Sequence, residues 1–250
     1  MIFSTNAIVL NYKKFSDTSL ICNLYSKDYG KFSIIAKGAR SLKNPHGAIL
    51  QPLNYIDIVY YYKEKRSMQL LKEATIKKKY YNISENYEKM IYSLTILDIV
   101  NFSSYNDSPC HIIFRLITKS LDYINSSKLP DLDYYYLFFN IQLLIYLGYH
   151  PIIEGCYNCN SKIKTAIFDS KSGHLCCKNC CDQKFILLEN EILLMQLLSK
   201  THIKNLKDYF TTSQKSLLNV KKYLFKFILY HIPELKNSKS FMSFNLNSTL

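Results

Sequence analysis

Cys156-Tyr157-Asn158-Cys159 and Cys176-Cys177-Lys178-Asn179-Cys180-Cys181 hold six of the chain's eight cysteines within 26 residues. They contain two Cys-x-x-Cys pairs, Cys156/Cys159 and Cys177/Cys180, separated by 17 residues, the spacing of a treble-clef or ribbon-type zinc knuckle. A Cys-x-x-Cys turn lets two thiolates converge on one ion, and a second turn completes a tetrahedral sulfur shell at ~2.3 Å per Zn–S bond. The competing readings are a disulfide cluster or chance cysteines in a core, but only Cys22 and Cys110 lie outside the cluster. The pattern predicts one structural Zn2+ held by Cys156, Cys159, Cys177 and Cys180. A closed four-thiolate shell has no open position for water, so the ion serves folding rather than catalysis.

Outward from this stretch the hydrophobic period changes. Residues 1–80 alternate as strands do: Phe3 to Leu10, Leu20 to Tyr25, Lys31 to Ala36 after a Lys27-Asp28-Tyr29-Gly30 turn, Tyr55 to Tyr62, and Met68 to Ala74. Five short strands with one longer excursion, Gly38 to Pro52, match the five-stranded Greek-key barrel of an OB-fold, with an SH3-like barrel as the rival. From Ser84 the spacing becomes helical. Ser84 is placed to cap a helix reaching Phe102, and His111 to Ile124 forms a second. Asp133 is placed to cap a third, which Gly148 and Pro151 stop. Beyond the cysteines, Glu189 to Lys200 and Ser213 to His231 are helical again, and the polar tail after Lys236 is expected to fray. The fold class is α+β: an N-terminal OB-fold β-barrel followed by an α-helical domain that carries the four-cysteine zinc finger.

At 250 residues the chain is long enough to bury a core without disulfide staples. Met1 to Asn6 lack the basic start and apolar run of a signal peptide. The most apolar stretch, Tyr134 to Leu147, is interrupted by Asn140 and Gln142 and suits a buried helix, not a membrane span. A reducing, cytoplasmic setting follows, where thiols favour metal. Net charge is +13 and the pI is near 9.2, which points to polyanions, although Lys, Asn, Ile and Tyr are also what an AT-rich genome supplies.

Position narrows the charge to six nucleic-acid-binding candidates. Lys37, Arg40 and Lys43 fall in the excursion, Lys13 and Lys14 in the loop between the first two strands, and Lys31 opens the third. Loops of an OB barrel flank the groove where single strands lie. Tyr29, Phe32, Tyr60 and Tyr62 are either stacking faces or barrel packing. Catalytic patterns are missing: six scattered glycines make no phosphate loop or dinucleotide fingerprint, and no Gly-x-Ser-x-Gly elbow occurs. His150 and Glu154 before Cys156-x-x-Cys159 have the wrong spacing for a nucleobase deaminase. The chain is expected to be a non-enzyme.

These residues together resemble the RecO family of bacterial recombination-repair proteins along nearly the whole chain. Ala7 to Leu10, Phe15-Ser16-Asp17-Thr18-Ser19-Leu20, Tyr29-Gly30-Lys31, Ala36-Lys37-Gly38-Ala39-Arg40 and Leu50-Gln51-Pro52-Leu53 are similar to its barrel in order and spacing. Cys156-x-x-Cys159, Phe168 to Gly173 and Cys177-x-x-Cys180 are similar to its finger, and Tyr230-His231, Leu235-Lys236 and Ser240-Phe241 to its closing segment. Two departures stand out: Gly173-His174 where the family usually has Gly-Gly, and the extra Cys176 and Cys181. These leave the ligand choice within 176/177 and 180/181 open, and only the 177/180 pair keeps the two-residue spacing.

The resemblance implies an OB domain over 1–80, a helical domain over 81–154 and 183–250, and a zinc finger over 155–182. It implies binding of single- and double-stranded DNA, annealing of complementary strands, and assistance to RecA loading in repair of breaks and gaps. The implied partners are RecR, the acidic, Phe-ended C-terminal tail of single-strand DNA-binding protein, and RecA indirectly, without a membrane. The setting would be the bacterial cytoplasm, at the nucleoid during repair. The other function class is a zinc-stabilised protein-interaction adaptor that does not touch DNA.

Overall fold

A computed structural model describes this chain apart from residues 42, 105–109, 150, 152–153, 170–171, 183–184 and 248–250, with the backbone alone for 208, 209, 246 and 247. The described residues fall into two compact units, Met1–Ser126 and Ser127–Leu250.

The first unit is built on a closed barrel of β1 (Ile2–Phe15), β2 (Ser19–Ser26), β3 (Gly30–Ala36), β4 (Tyr55–Tyr61) and β5 (Gln69–Lys78). Its order is β1-β2-β3-β5-β4, antiparallel except where β3 meets β5, and β1 closes on β4. This is the OB-fold topology, so the SH3-like rival falls away. The core comprises the inward residues of every strand, Ala7, Val9, Cys22, Leu24, Phe32, Ile34, Ile56, Ile58 and Tyr60 among them. Each such aliphatic contributes about 1.5–3 kcal/mol by leaving water.

The first strand carries the feature on which the site depends. Ala7 to Leu10 are buried without alternation, because the outward Ile8 and Leu10 are covered as fully as the inward Ala7 and Val9. Helix α3 (Tyr87–Ser103) packs against β1 within this unit, followed by α4 (His111–Ser126). Between Val9 and Asn11 the register with β2 shifts by a β-bulge. The Val9 carbonyl accepts from Leu53 N–H at 3.0 Å, and Val9 N–H donates to Asn54 at 3.1 Å. To reach Val9, Leu53 adopts φ = +73°, a left-handed conformation held by its burial.

The second unit centres on α5 (Leu132–Tyr146), which is apolar nearly all round and buried accordingly. Around it lie α6 (Glu189–Lys200), α7 (Gln214–His231) and α8 (Lys239–Asn247). A small sheet carries the cysteines: β6 (Ala166–Asp169) lies between β7 (His174–Cys176) and β8 (Ile186–Leu187).

Four local expectations change. Lys13 and Lys14 are not in a loop: β1 runs on to Phe15, paired Lys13 with Ile21 and Lys14 with Leu20. Ser84 ends a single turn, α2 (Tyr81–Ser84), while Asn86 caps α3 by accepting from the Lys89 N–H at 3.0 Å. Asp133 lies inside the first turn of α5 and pairs with Lys221 Nζ at 3.0 Å instead of capping. The tail does not fray where it is described. Phe241 is fully buried, with its ring 5.5 Å from that of Phe225, and Asn245 Nδ2 donates to its carbonyl.

Candidate functional site

The distal half of β1 is where the bulge has its effect. Without it, the alternation of Ala7 and Val9 would carry Asn11, Lys13 and Phe15 inward. With it, Tyr12 is opposite Cys22 and Lys14 opposite Leu20, and both partners belong to the barrel core. Directly opposed residues of an antiparallel pair share a face. Tyr12 and Lys14 therefore continue the inner face of the barrel past its end, while Lys13 and Phe15 take the outer face.

A second segment meets this ribbon. Gly38, at φ = +67°, turns the chain after β3, and Arg40 N–H donates to the Thr18 carbonyl at 2.8 Å. The Arg40 guanidinium reaches the Ser16 carbonyl at 3.3 Å. The other side of the loop rests on the single turn α1 (His46–Ile49). A Cβ on Gly47 would stand 2.5 Å from the Ala39 carbonyl oxygen, so only glycine allows this approach. The result is an open cleft of about 390 Å³ whose walls include Tyr12, Lys14, Arg40, Ser41, Asn44 and Gln51. Two cations and a half-exposed aromatic ring thus face one groove, the combination that holds a phosphate backbone and a base.

Of the six cations singled out in the sequence, the structure brings Lys14 and Arg40 together. Lys13 takes the opposite face of the ribbon. Lys37 and Lys43 are exposed at the start and end of the Arg40 loop, outside the cleft lining. Lys31 is engaged elsewhere: its ammonium donates to the Asn101 carbonyl of α3 at 2.6 Å, and burial lowers its pKa. The aromatics divide too. Phe32 and Tyr60 are core, and Tyr29 and Tyr62 sandwich Phe3 at 5.7 and 4.8 Å. Sequence reasoning missed Tyr12 and Phe15, which are 39% and 46% exposed. Neither composition nor period marks the bulge that separates them onto two faces.

The four predicted metal ligands do converge. The sulfurs of Cys156, Cys159, Cys177 and Cys180 all lie within 4.8 Å of one another, and Cys159 Sγ is 3.7 Å from Cys177 Sγ. Sulfurs bound tetrahedrally to one ion at ~2.3 Å would be separated by about 3.8 Å, so the group fits such an ion. Backbone geometry shapes both turns. Asn160 N–H donates to the Cys156 carbonyl at 2.8 Å with Asn160 at φ = +57°, and Cys180 and Cys181 N–H both reach the Cys177 carbonyl at 3.1 Å. Burial pushes the Cys156 thiol up, but the N–H groups of Cys177, Cys159 and Asn158 outweigh it and bring it down to about 6. Cys180 is pushed up to about 12 by the neighbouring Cys177 and Cys159 sulfurs. A cation at the centre of the group would let all four ionise together, which their mutual repulsion otherwise opposes.

Of the residues considered for deaminase chemistry, His150 lies outside the described residues, and Glu154 is exposed and paired with Lys200 at 3.0 Å. No helix among the described residues is long and apolar enough to cross a membrane.

Comparison with known proteins bears on both sites. Residues 1–80 match the family model described as the N-terminal part of recombination protein O, and residues 84–240 match its C-terminal part. The chain is similar to the DNA repair protein RecO of Alkaliphilus metalliredigens, 24% identical over 235 residues, which are 93% of this chain and 94% of that one. It is also similar to the DNA repair protein RecO of Thermodesulfovibrio yellowstonii, 31% identical over 180 residues, 72% of this chain and 70% of the relative. With that of Chlorobaculum parvum the identity is 31% over 160 residues, 64% of this chain and 61% of the relative.

Proposed function

This chain belongs to the RecO family, and from that premise we propose that it is a DNA-binding mediator of recombinational repair in the bacterial cytoplasm. It binds single- and double-stranded DNA, anneals complementary strands, and assists RecA loading together with RecR on DNA coated by single-strand DNA-binding protein. The acidic tail of that coat protein is its ligand on the helical unit. It acts without catalysing a covalent step. Its Cys156/Cys159/Cys177/Cys180 centre takes one structural zinc, whose filled sulfur shell supplies folding energy and leaves no place for a reacting water.

The observation that carries this reading is the cleft at the open end of the barrel, where Lys14, Arg40 and Tyr12 face one groove. Complementary strands repel each other through their phosphates. A cationic groove lowers that repulsion, and a ring that stacks on a base holds a single strand with its neighbouring bases presented for pairing. Phosphate contacts carry no sequence information, which suits a protein that must act on any gap.

The test is a salt titration of oligonucleotide binding with the full chain and with Lys14→Ala/Arg40→Ala. Loss of two phosphate contacts on a single strand should flatten the log–log salt slope by about 1.4. Annealing of oligonucleotides coated with single-strand DNA-binding protein should slow in parallel. Identical slopes for a folded double variant and the parent would remove the cleft from the DNA path.

A further inference from the structure

Cys176 and Cys181, the two thiols that the four-cysteine centre does not use, lie together with a carboxylate. The sulfurs of both and an Asp169 oxygen are all within 4.8 Å of one another. The hairpin explains why. Ile167 is opposite Cys176 and Asp169 is opposite His174, so Asp169 and Cys176 are diagonal neighbours on one face of β6 and β7. The turn that follows, closed by Cys180 and Cys181 N–H on the Cys177 carbonyl, returns Cys181 to that face. Each adjacent pair is thereby shared out. Cys177 and Cys180 join the four-sulfur group, and Cys176 and Cys181 join Asp169.

We propose that Asp169, Cys176 and Cys181 form a second metal site, distinct from the four-thiolate centre and suited to a thiophilic divalent cation such as zinc. Two thiolates and a carboxylate are a three-ligand donor set, which leaves a fourth tetrahedral position for water. Polar groups already contact two of the three ligands, whereas burial and the neighbouring Cys181 push the Cys176 thiol up. Asn158 Nδ2 donates to Cys176 Sγ at 3.7 Å, and Ser172 N–H donates to an Asp169 carboxylate oxygen at 3.3 Å. Outer partners of this kind orient ligands in metal sites. On the same hairpin face, His174 has a buried Nδ1 with no hydrogen-bond partner among the described residues, a group that a metal-bound water would satisfy. Because the fourth position is open, this ion should exchange faster than the one in the closed shell.

The inference rests on the four-thiolate reading only for the count of ions, and each site has its own variant. The full chain, kept reduced, is saturated with zinc and desalted. Bound metal is counted by plasma mass spectrometry before and after brief exposure to EDTA, with circular dichroism to follow the fold. The parent should hold two ions and lose one to EDTA. Cys176→Ser/Cys181→Ser should hold one, resistant to EDTA, and Asp169→Asn should release the labile ion about 10-fold or more readily with both thiols in place. Cys159→Ser should lose the EDTA-resistant ion and with it the fold of the cysteine sheet, so the labile site is judged on the variants that keep the four-thiolate centre intact. One ion in the parent, two ions in the folded double variant, or a labile ion indifferent to Asp169→Asn would each overturn the proposal. So would a Cys176–Cys181 disulfide in the reduced preparation, found by mapping peptides after alkylation.

Discussion

The barrel and the cysteine sheet are both small β structures, and they hold their shape by different means. In the barrel, every strand turns apolar side chains into one closed core, and the covering of β1 by α3 buries its outer face as well. The cysteine sheet has strands of four, three and two residues, and Ala166, Ile167, Phe168, Leu175 and Leu187 are its fully covered aliphatics and aromatics. Phe168 lies edge-on to Tyr223 of α7, and Tyr157 stacks on His174 at 4.1 Å. A sheet of that size does not stand alone in water, and the ligand-to-metal bonds proposed above would supply what the missing core does not. The lesson is a division of labour. One region folds on hydrophobic burial and leaves its polar rim free for the proposed ligand, while the other, on the same proposal, commits its most reactive side chains to its own stability.

The comparison breaks most readily at Cys177. Cys177→Ser, or removal of the ion by a strong chelator, should unfold much of the second unit, since zinc binding in finger peptides is worth ~10–16 kcal/mol in apparent free energy. Hydrogen exchange should show that loss with protection of the barrel amides retained. Simultaneous loss of protection in both units would refute the division. Next in size, Gly173→Ala combines a φ of +74° with a Cβ placed 2.5 Å from the Tyr230 ring, and should cost about 1–3 kcal/mol in urea unfolding of the second unit. DNA affinity should stay unchanged.

On the barrel side, Tyr12→Ala should weaken single-strand binding by about 1–3 kcal/mol while Phe15→Ala, on the outer face, has little effect. Equal losses would mean that the bulge does not sort the two rings. The smallest effect is expected at Lys31→Met, which removes one bond to the Asn101 carbonyl and should lower the stability of the first unit by about 1 kcal/mol. Its salt slope for DNA should match that of the parent.

Much of this was legible in the residues, for reasons that differ from element to element. Alternation in Tyr55 to Tyr61 shows a strand because its two faces meet core and solvent in turn. Leu20 to Tyr25, by contrast, is covered on both faces except at Asn23 and is marked by its apolar content. Glu189 to Lys200 appears as a helix because acidic residues begin it and apolar spacing runs through it. Lys13 and Lys14 were misplaced, since a strand extending beyond its barrel has no buried face to impose a pattern. Ser84 and Asp133 are good caps by type, but Asn86 and the Lys221 partner show that capping depends on which residue lies within reach. The polar tail gave no sign of docking, because a single buried Phe241 is invisible to composition.

By itself, then, the sequence determined the strand count of the barrel, the main helices, the cationic character of the chain, and the four thiols that would meet. All of these depend on local spacing or residue type, which the chain carries along its length. Only the tertiary structure decided which cations share a groove, because the bulge at Val9 is held from outside β1 by Leu53 and Asn54. It likewise decided where the surplus thiols go. Adjacent cysteines are equivalent in a sequence, but a folded hairpin has two sides, and only there do Cys177 and Cys180 part from Cys176 and Cys181.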